Sequence, residues 1–321
     1  MTRLRRIGRS ELFISPLILG ANVFGWTADR HTSFAVMDAF IAGGGRMIDT
    51  ADAYSSFVPG HSGGESEIII GEWLRQRGRR DDVMITTKVG HLPGEGGEGL
   101  APARIATAIE DSLRRLQTDY VDLYLAHEDD KTQDQGEVAE AFDRLVKAGK
   151  VRVLGASNFS RDRLASAIAL QSQDGLSQYH SLQNHYNLVE RGDYEAAGQQ
   201  FCLENEIGMT PYFGLASGYL TGKYRKAEDF DGSLRGQGIR KYFESNGPRV
   251  LSALDAIATQ TGATVAQISL AWLASRPGIV APIASATSVE QLEELLGVIT
   301  LTLSGDQLAL LDQASAIAEG I

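Results

Sequence analysis

The feature that most constrains this fold is a repeated exchange between short, continuous apolar runs and longer segments with helical periodicity. Apolar runs stand at 16–20, 46–49, 83–88, 121–126, 151–156, 181–183, 208–213 and 279–282, eight in all. Helical spacing fills 33–42, 66–75, 102–116, 137–147, 161–170 and 194–206; Ile105, Ile109, Leu113 and Leu116 share one face of the third. Glycines at 43–45 stop the first helix, because residues free to take positive φ end helical turns. In the last third, Thr264 with Gln267, Ser288 with Gln291 and Ser304 with Gln307 are spaced as capping boxes, each opening an apolar helical pattern. Strands that are apolar at consecutive positions belong to a parallel sheet covered by helices. Eight such units predict an α/β fold, a closed (β/α)8 TIM barrel forming one domain over residues 1–321. A β-hairpin turning at 8–10 precedes it and is expected to close the bottom.

An open, doubly wound dinucleotide fold is the rival. It calls for Gly-x-Gly-x-x-Gly between the first strand and first helix, and the sequence has no such loop there. The glycine-rich run at 94–99 carries glutamates that would repel a phosphate. The stretch 218–223 is one residue short of a phosphate loop and has Tyr224 where a magnesium-binding hydroxyl belongs.

Composition narrows the partners. A chain of 321 residues, 43% hydrophobic, can bury a large core. Its formal net charge of −11 argues against nucleic acid or an anionic membrane surface, both of which need clustered positive charge. No run is long and apolar enough to span a bilayer. Arginines at 3, 5, 6 and 9 precede an apolar stretch, but Glu11 and Pro16 interrupt it, so it reads as the hairpin rather than a leader. The single cysteine, Cys202, lies in an apolar stripe and has no partner for a disulfide or a thiolate metal site within the chain. A cytoplasmic protein handling a small molecule is the expectation.

In such barrels chemistry belongs at the carboxyl ends of the strands. Those positions read Asp49, Lys88, His127, Ser157 with Asn158, and Gln183, and Tyr54 can fold back over the same mouth from a turn after Asp49. Each alone reads first as a structural residue: a turn cap, a lysine snorkelling to water or a satisfied rim histidine. Their recurrence on successive strands around one ring singles them out.

At these residues the chain resembles the aldo-keto reductases, over nearly its whole length. The motifs are Ile-Asp-Thr-Ala-Asp-Ala-Tyr at 48–54, Gly-Gly-Glu-Ser-Glu at 63–67, Thr-Asp-Tyr-Val-Asp-Leu-Tyr at 118–124, Gly-Lys-Val-Arg-Val-Leu-Gly-Ala-Ser-Asn-Phe-Ser at 149–160 and Leu-Thr-Gly-Lys-Tyr at 220–224. The resemblance implies that Asp49, Tyr54, Lys88 and His127 form a catalytic tetrad interconverting a carbonyl and an alcohol. It implies that Ser157, Asn158 and Gln183 hold a nicotinamide carboxamide, that Tyr212 stacks on the ring, and that Leu215, Ser217 and Lys223 lie over the pyrophosphate.

Chemically, Tyr54 is the best available proton donor to the oxygen of a carbonyl under reduction. Lys88 is expected to lower its pKa while Asp49 holds the lysine charged; His127 would give a second hydrogen bond. Two departures from the family pattern matter. The adenosine 2′-phosphate cations usual after the last strand are missing at Ser285, Thr287, Ser288 and Gln291, and Leu295 replaces an adenine-contacting Asn. Some members, the potassium-channel β-subunit branch among them, take cations from the long loop after the seventh strand, which here offers Lys223, Arg225, Arg235 and Arg240. NADP(H) is the favoured cofactor and NAD(H) the alternative. The second departure, Glu128-Asp129-Asp130 after His127, alters the substrate pocket, which Trp26, Phe57 and loop 90–99 also border.

Two other functions compete. A metal-dependent hydrolase using His61, His127 and residues 128–130 lacks an established ligand spacing, so no metal is expected. A slow-turnover regulatory or redox-sensing subunit would keep the same cofactor site and stays open.

Overall fold

The computed structural model describes residues 4–94, 97–226, 229 and 236–316. Strands β1 (Arg5–Arg6) and β2 (Phe13–Ile14) pair antiparallel as the N-terminal hairpin. Eight parallel strands follow: β3 (Ile18–Gly20), β4 (Met47–Asp49), β5 (Met84–Val89), β6 (Val121–Ala126), β7 (Val151–Ser157), β8 (Tyr179–Gln183), β9 (Gly208–Met209) and β10 (Ile283–Ala284). From β4 to β9 each pairs with its predecessor, and β10 pairs with β3. Met209 also bridges Ile279, so the stretch 279–284 joins the two edges and the ring closes as a (β/α)8 barrel.

Helices α1 (Arg30–Ala42), α2 (Glu65–Arg77), α3 (Pro102–Leu116), α4 (Gln135–Lys147), α5 (Arg161–Gln173) and α6 (Gln199–Glu204) alternate with the strands. Their starts follow local chemistry: the Asp29, Asp134 and Ser160 side chains accept from backbone N–H groups of the first turns, and Pro102 opens α3 where its missing N–H costs nothing.

Strand residues divide between two apolar layers. Ile48, Ile85, Tyr124 and Leu154 face the helices. Met47, Leu123, Leu125 and Val153 point inward and pack with Ile7, Leu12 and Ile14, so the hairpin plugs the amino end of the barrel. Gly155 makes room in this interior: a Cβ there would stand 2.4 Å from Leu125 Cδ2.

Several boundaries differ from expectation, mostly where proline withholds a ladder N–H. The run 208–213 yields only Gly208–Met209 before Pro211, although Tyr212 still bridges His185. The run 279–282 is not a regular strand; β10 begins after Pro282. Segment 194–206 opens with a π turn at Tyr194–Gly198 before α6. Helix α7 (Gly236–Phe243) lies within what was read as a long loop, and α8 (Gly247–Thr261), which follows it, was assigned no element; Pro248 at the start and left-handed Gly262 at the end of α8 were its available signals. Then come α9 (Val265–Ser275), α10 (Val289–Leu296) and α11 (Gly305–Ser315). Complete capping boxes open α9 and α11, but at α10 only Ser288 caps, because the Gln291 side chain turns to the N–H and hydroxyl of Thr287. Among the described residues no helix is long and apolar enough to cross a membrane.

Candidate active site

Parallel strands put their carboxyl ends on one face, and Asp49, Lys88 and Gln183 meet there. Lys88 is fully buried, and its Nζ donates to Asp49 Oδ1 at 2.6 Å, to the Thr50 carbonyl at 2.8 Å and to the Tyr54 hydroxyl at 2.9 Å. An ammonium has three protons, so this set fixes its position. The other Asp49 oxygen, Oδ2, accepts from Gln183 Nε2 at 2.8 Å, and the Tyr54 hydroxyl lies 3.3 Å from Oδ1. Tyr54 is brought over the mouth by a tight turn in which Ser55 takes φ 73° and anchors its hydroxyl on the Phe24 carbonyl.

Burial, reinforced by the Asp49 carboxylate, holds the Tyr54 phenol well above the usual tyrosine pKa. The lowering expected from Lys88 is therefore not the net result: the phenol is shifted upward, with burial the largest cause. Burial likewise depresses Lys88, against the pull of Asp49, Asp52 and Glu67.

His127 follows β6, with its backbone N–H on the Val89 carbonyl. Its ring stands edge-on to Tyr54, 6.1 Å between centroids, and stacks on His91 at 4.3 Å. Burial, then the charges of Lys88 and His91, drive its pKa well below the ordinary histidine value, so the ring is neutral. Nδ1 is buried without a hydrogen-bond partner.

Behind Lys88 lies a buried ionic network. The Thr87 hydroxyl donates to Glu67 at 2.5 Å, Glu67 accepts from Arg115 at 2.6 Å, and Arg104 donates to Asp52 at 2.6 Å. Burial and the nearby Glu67 push Asp52 up to about 7, and its Oδ1 has no partner.

The remaining sequence-assigned residues ring the same mouth in part. Asn158, at φ 56°, donates from Nδ2 to the His127 carbonyl and to Ser157 Oγ, while its Oδ1 accepts from the Tyr212 hydroxyl at 2.7 Å. Gln183 is committed to Asp49 through its Nε2. One face of Tyr212 stacks on His185, 5.5 Å between centroids. Leu215 leads into a turn where Ala216, Ser217 and Gly218 all take positive φ; a Cβ on Gly218 would meet Lys223 Nζ at 3.1 Å, so the lysine lies against this turn. Ser285 donates to Asn22 Oδ1 at 2.6 Å, while Thr287 and Gln291 bond each other. Arg235 lies outside the described residues. Arg225 is engaged bidentately by Asp255, Arg240 is exposed, and Leu295 is buried. Trp26 and Phe57 meet edge to face at 5.0 Å.

Thr50, Asn22 and Asn184 had no expected role, and His91 stood only within loop 90–99, expected to border the substrate pocket. The first acts through a carbonyl, which carries no side-chain signal. Asn184 accepts from the Asn158 N–H at 2.7 Å and follows Gln183 directly, the one available hint. Among the described residues no group of His, Cys, Asp and Glu is placed to hold a metal ion.

Comparison with known proteins agrees with this architecture. The family described as "Aldo/keto reductase family" matches residues 16–316. YrpG, an uncharacterized oxidoreductase of Bacillus subtilis (strain 168), is 32% identical over 313 residues, 95% of this chain and 94% of that protein. The aldo-keto reductase YhdN of the same organism is 32% identical over 307 residues, 94% of this chain and 88% of its own. Norsolorinic acid reductase B of Aspergillus parasiticus is 29% identical over 333 residues, covering 98% and 84%. With a closed (β/α)8 barrel and a Lys88-centred polar cluster at its carboxyl end, this chain belongs to the aldo/keto reductase family and is a carbonyl-reducing oxidoreductase.

Proposed function

We propose that this protein interconverts an aldehyde or ketone and the corresponding alcohol with a nicotinamide dinucleotide, Tyr54 serving as proton donor. The observation that carries this reading is the Lys88 ammonium held between Asp49 and the Tyr54 hydroxyl at 2.6 and 2.9 Å. Lys88 donates to the phenolic oxygen, and the phenol's own proton, which here donates to Asp49 Oδ1 at 3.3 Å, would turn from that long bond to a substrate oxygen. As that proton leaves, negative charge grows on the phenolic oxygen beside an ammonium already in place, which stabilises it. Asp49 keeps Lys88 charged and oriented. In neutral His127, a proton on Nδ1 would be buried without an acceptor, so the favoured tautomer carries it on Nε2, where it can donate to the same carbonyl.

The cofactor supplies the hydride. The residues present fit such a group. Ser157, Asn158 and Gln183 offer amide and hydroxyl groups beside the tetrad, and Tyr212 offers an aromatic ring. The left-handed run Ala216, Ser217 and Gly218 makes a backbone concavity of the kind that takes anions, with Lys223 against it, suited to a diphosphate. Asn158 and Gln183 must exchange present hydrogen bonds for contacts with a carboxamide. NADP(H) is favoured over NAD(H) because the segment after β9 brings cations, Lys223 among them, toward this face; Ser288 caps α10, whose N-terminal N–H groups would add to phosphate binding.

The test is reduction of a panel of aldehydes, ketones and sugars with NADPH and with NADH, followed by loss of reduced-nicotinamide absorbance, on the wild type and Tyr54→Phe. The variant should lose nearly all turnover and bind cofactor as before; substantial retained kcat would remove Tyr54 from the role. Tight cofactor binding with little turnover on the whole panel would favour the regulatory or redox-sensing alternative.

A further inference from the structure

We propose that His91 and Glu128 form a polar wall of the substrate pocket that recognises a hydroxyl group next to the reacting carbonyl, making neutral hydroxyaldehydes and hydroxyketones the preferred substrates. This rests on the reading of Tyr54 and His127 as the groups that hold the carbonyl oxygen.

The two residues leave adjacent strands at the carboxyl face, His91 just after β5 and Glu128 just after His127. The His91 ring lies on the His127 ring, 4.3 Å between centroids and 19° from parallel, and His91 Nε2 bonds Glu128 Oε2 at 2.8 Å. His91 thus lies directly against the ring that would hold the carbonyl.

The fold has other uses for the neighbouring acids. Asp129 is held bidentately by Arg163 at 2.7 and 2.9 Å, and Asp130 accepts from the Leu100 N–H and from Thr132. Glu128 has no such anchor and is 61% exposed, with His91 at 38%. A polar contact this exposed adds little to stability. Its charge is felt at the Tyr212 phenol, raising that group's pKa after burial has done so.

The chemistry of the pair selects the ligand. In the tautomer whose Nε2–H donates to Glu128, the His91 ring keeps Nδ1 as an acceptor, so the pair offers a substrate a ring nitrogen and a carboxylate. Hydroxyl groups supply donors to both. A plain alkyl aldehyde supplies none, and a carboxylated aldehyde is repelled by Glu128.

The experiment measures kcat/KM for matched pairs, glycolaldehyde with acetaldehyde and glyceraldehyde with propionaldehyde, on wild type, Glu128→Gln and His91→Phe. His91→Phe keeps a ring on His127 and deletes the hydrogen bonds. Wild type should favour the hydroxylated member by about ten- to a hundred-fold, the worth of a hydrogen bond to a charged group, and each variant should reduce that ratio about tenfold. A wild-type ratio near one, a ratio unmoved in both variants, or preference for an aminoaldehyde over its hydroxyl analogue would overturn the inference while leaving the reductase reading intact. Absence of turnover on every aldehyde would instead overturn the reductase reading, and this inference with it.

Discussion

Lys88 and Asp49 form an ion pair of 2.6 Å with side chains only 0% and 2% exposed. Two charges so buried lose their hydration, and attraction alone repays it only with further hydrogen bonds. Gln183 on Asp49 Oδ2 and the Thr50 carbonyl and Tyr54 hydroxyl on Lys88 provide them. A pair built this way has consequences for stability as well as for turnover.

Replacing Lys88 by Met leaves Asp49 buried and uncompensated. The variant should lose about 3–5 kcal/mol of stability along with its activity. The double variant Asp49→Asn with Lys88→Met should regain much of the stability and none of the activity. Urea unfolding of the set checks this; a single variant as stable as wild type would show that Asp49 does not depend on Lys88.

His127 should act as a neutral group. Burial and Lys88 hold its pKa well below 6.5, so at all higher pH the ring is already deprotonated. Carbonyl reduction should then show no loss of kcat/KM as pH rises through the ordinary histidine range, about 6 to 7. A falling limb there, absent in His127→Gln, would identify the imidazolium as the working form.

Asp52 should make the protein lose stability as pH rises from about 4 to 7. Its folded pKa is pushed from 3.8 up to about 7, so over that window the folded state keeps a proton that the unfolded chain releases. Asp52→Asn is neutral throughout and keeps an acceptor for Arg104. It should melt higher than wild type at pH 8 and flatten the pH dependence of Tm. A variant less stable than wild type at pH 8 would mean that the Arg104 attraction outweighs burial.

Lys223 tests the cofactor assignment. If it sits on the adenosine 2′-phosphate, Lys223→Ala should weaken NADPH by about one to two orders of magnitude in Kd and NADH little. Equal losses would put it on the shared pyrophosphate. A wild type that binds both cofactors equally would remove the preference for NADP(H). Fluorescence titration resolves the three.

The sequence by itself determined the barrel, because strands such as β6 are apolar at every position but one and can only sit between two covered faces, while Pro102, Ser160 and Thr264 mark helix starts through local chemistry. It also placed Asp49, Lys88 and His127 at strand ends, since parallel strands put those ends on one face. Where the barrel closes was left to tertiary structure: Pro211 and Pro282 withhold ladder N–H groups, so the last strands shorten and Ile279 bridges Met209 across the gap. The electrostatics were decided there too. A lysine near a tyrosine reads in sequence as an acidifying neighbour, but the depth at which Tyr54 is buried, a property of the whole packed barrel, reverses the sign. The stacking of His91 on His127 joins residues from two loops, and no local pattern in either announces it.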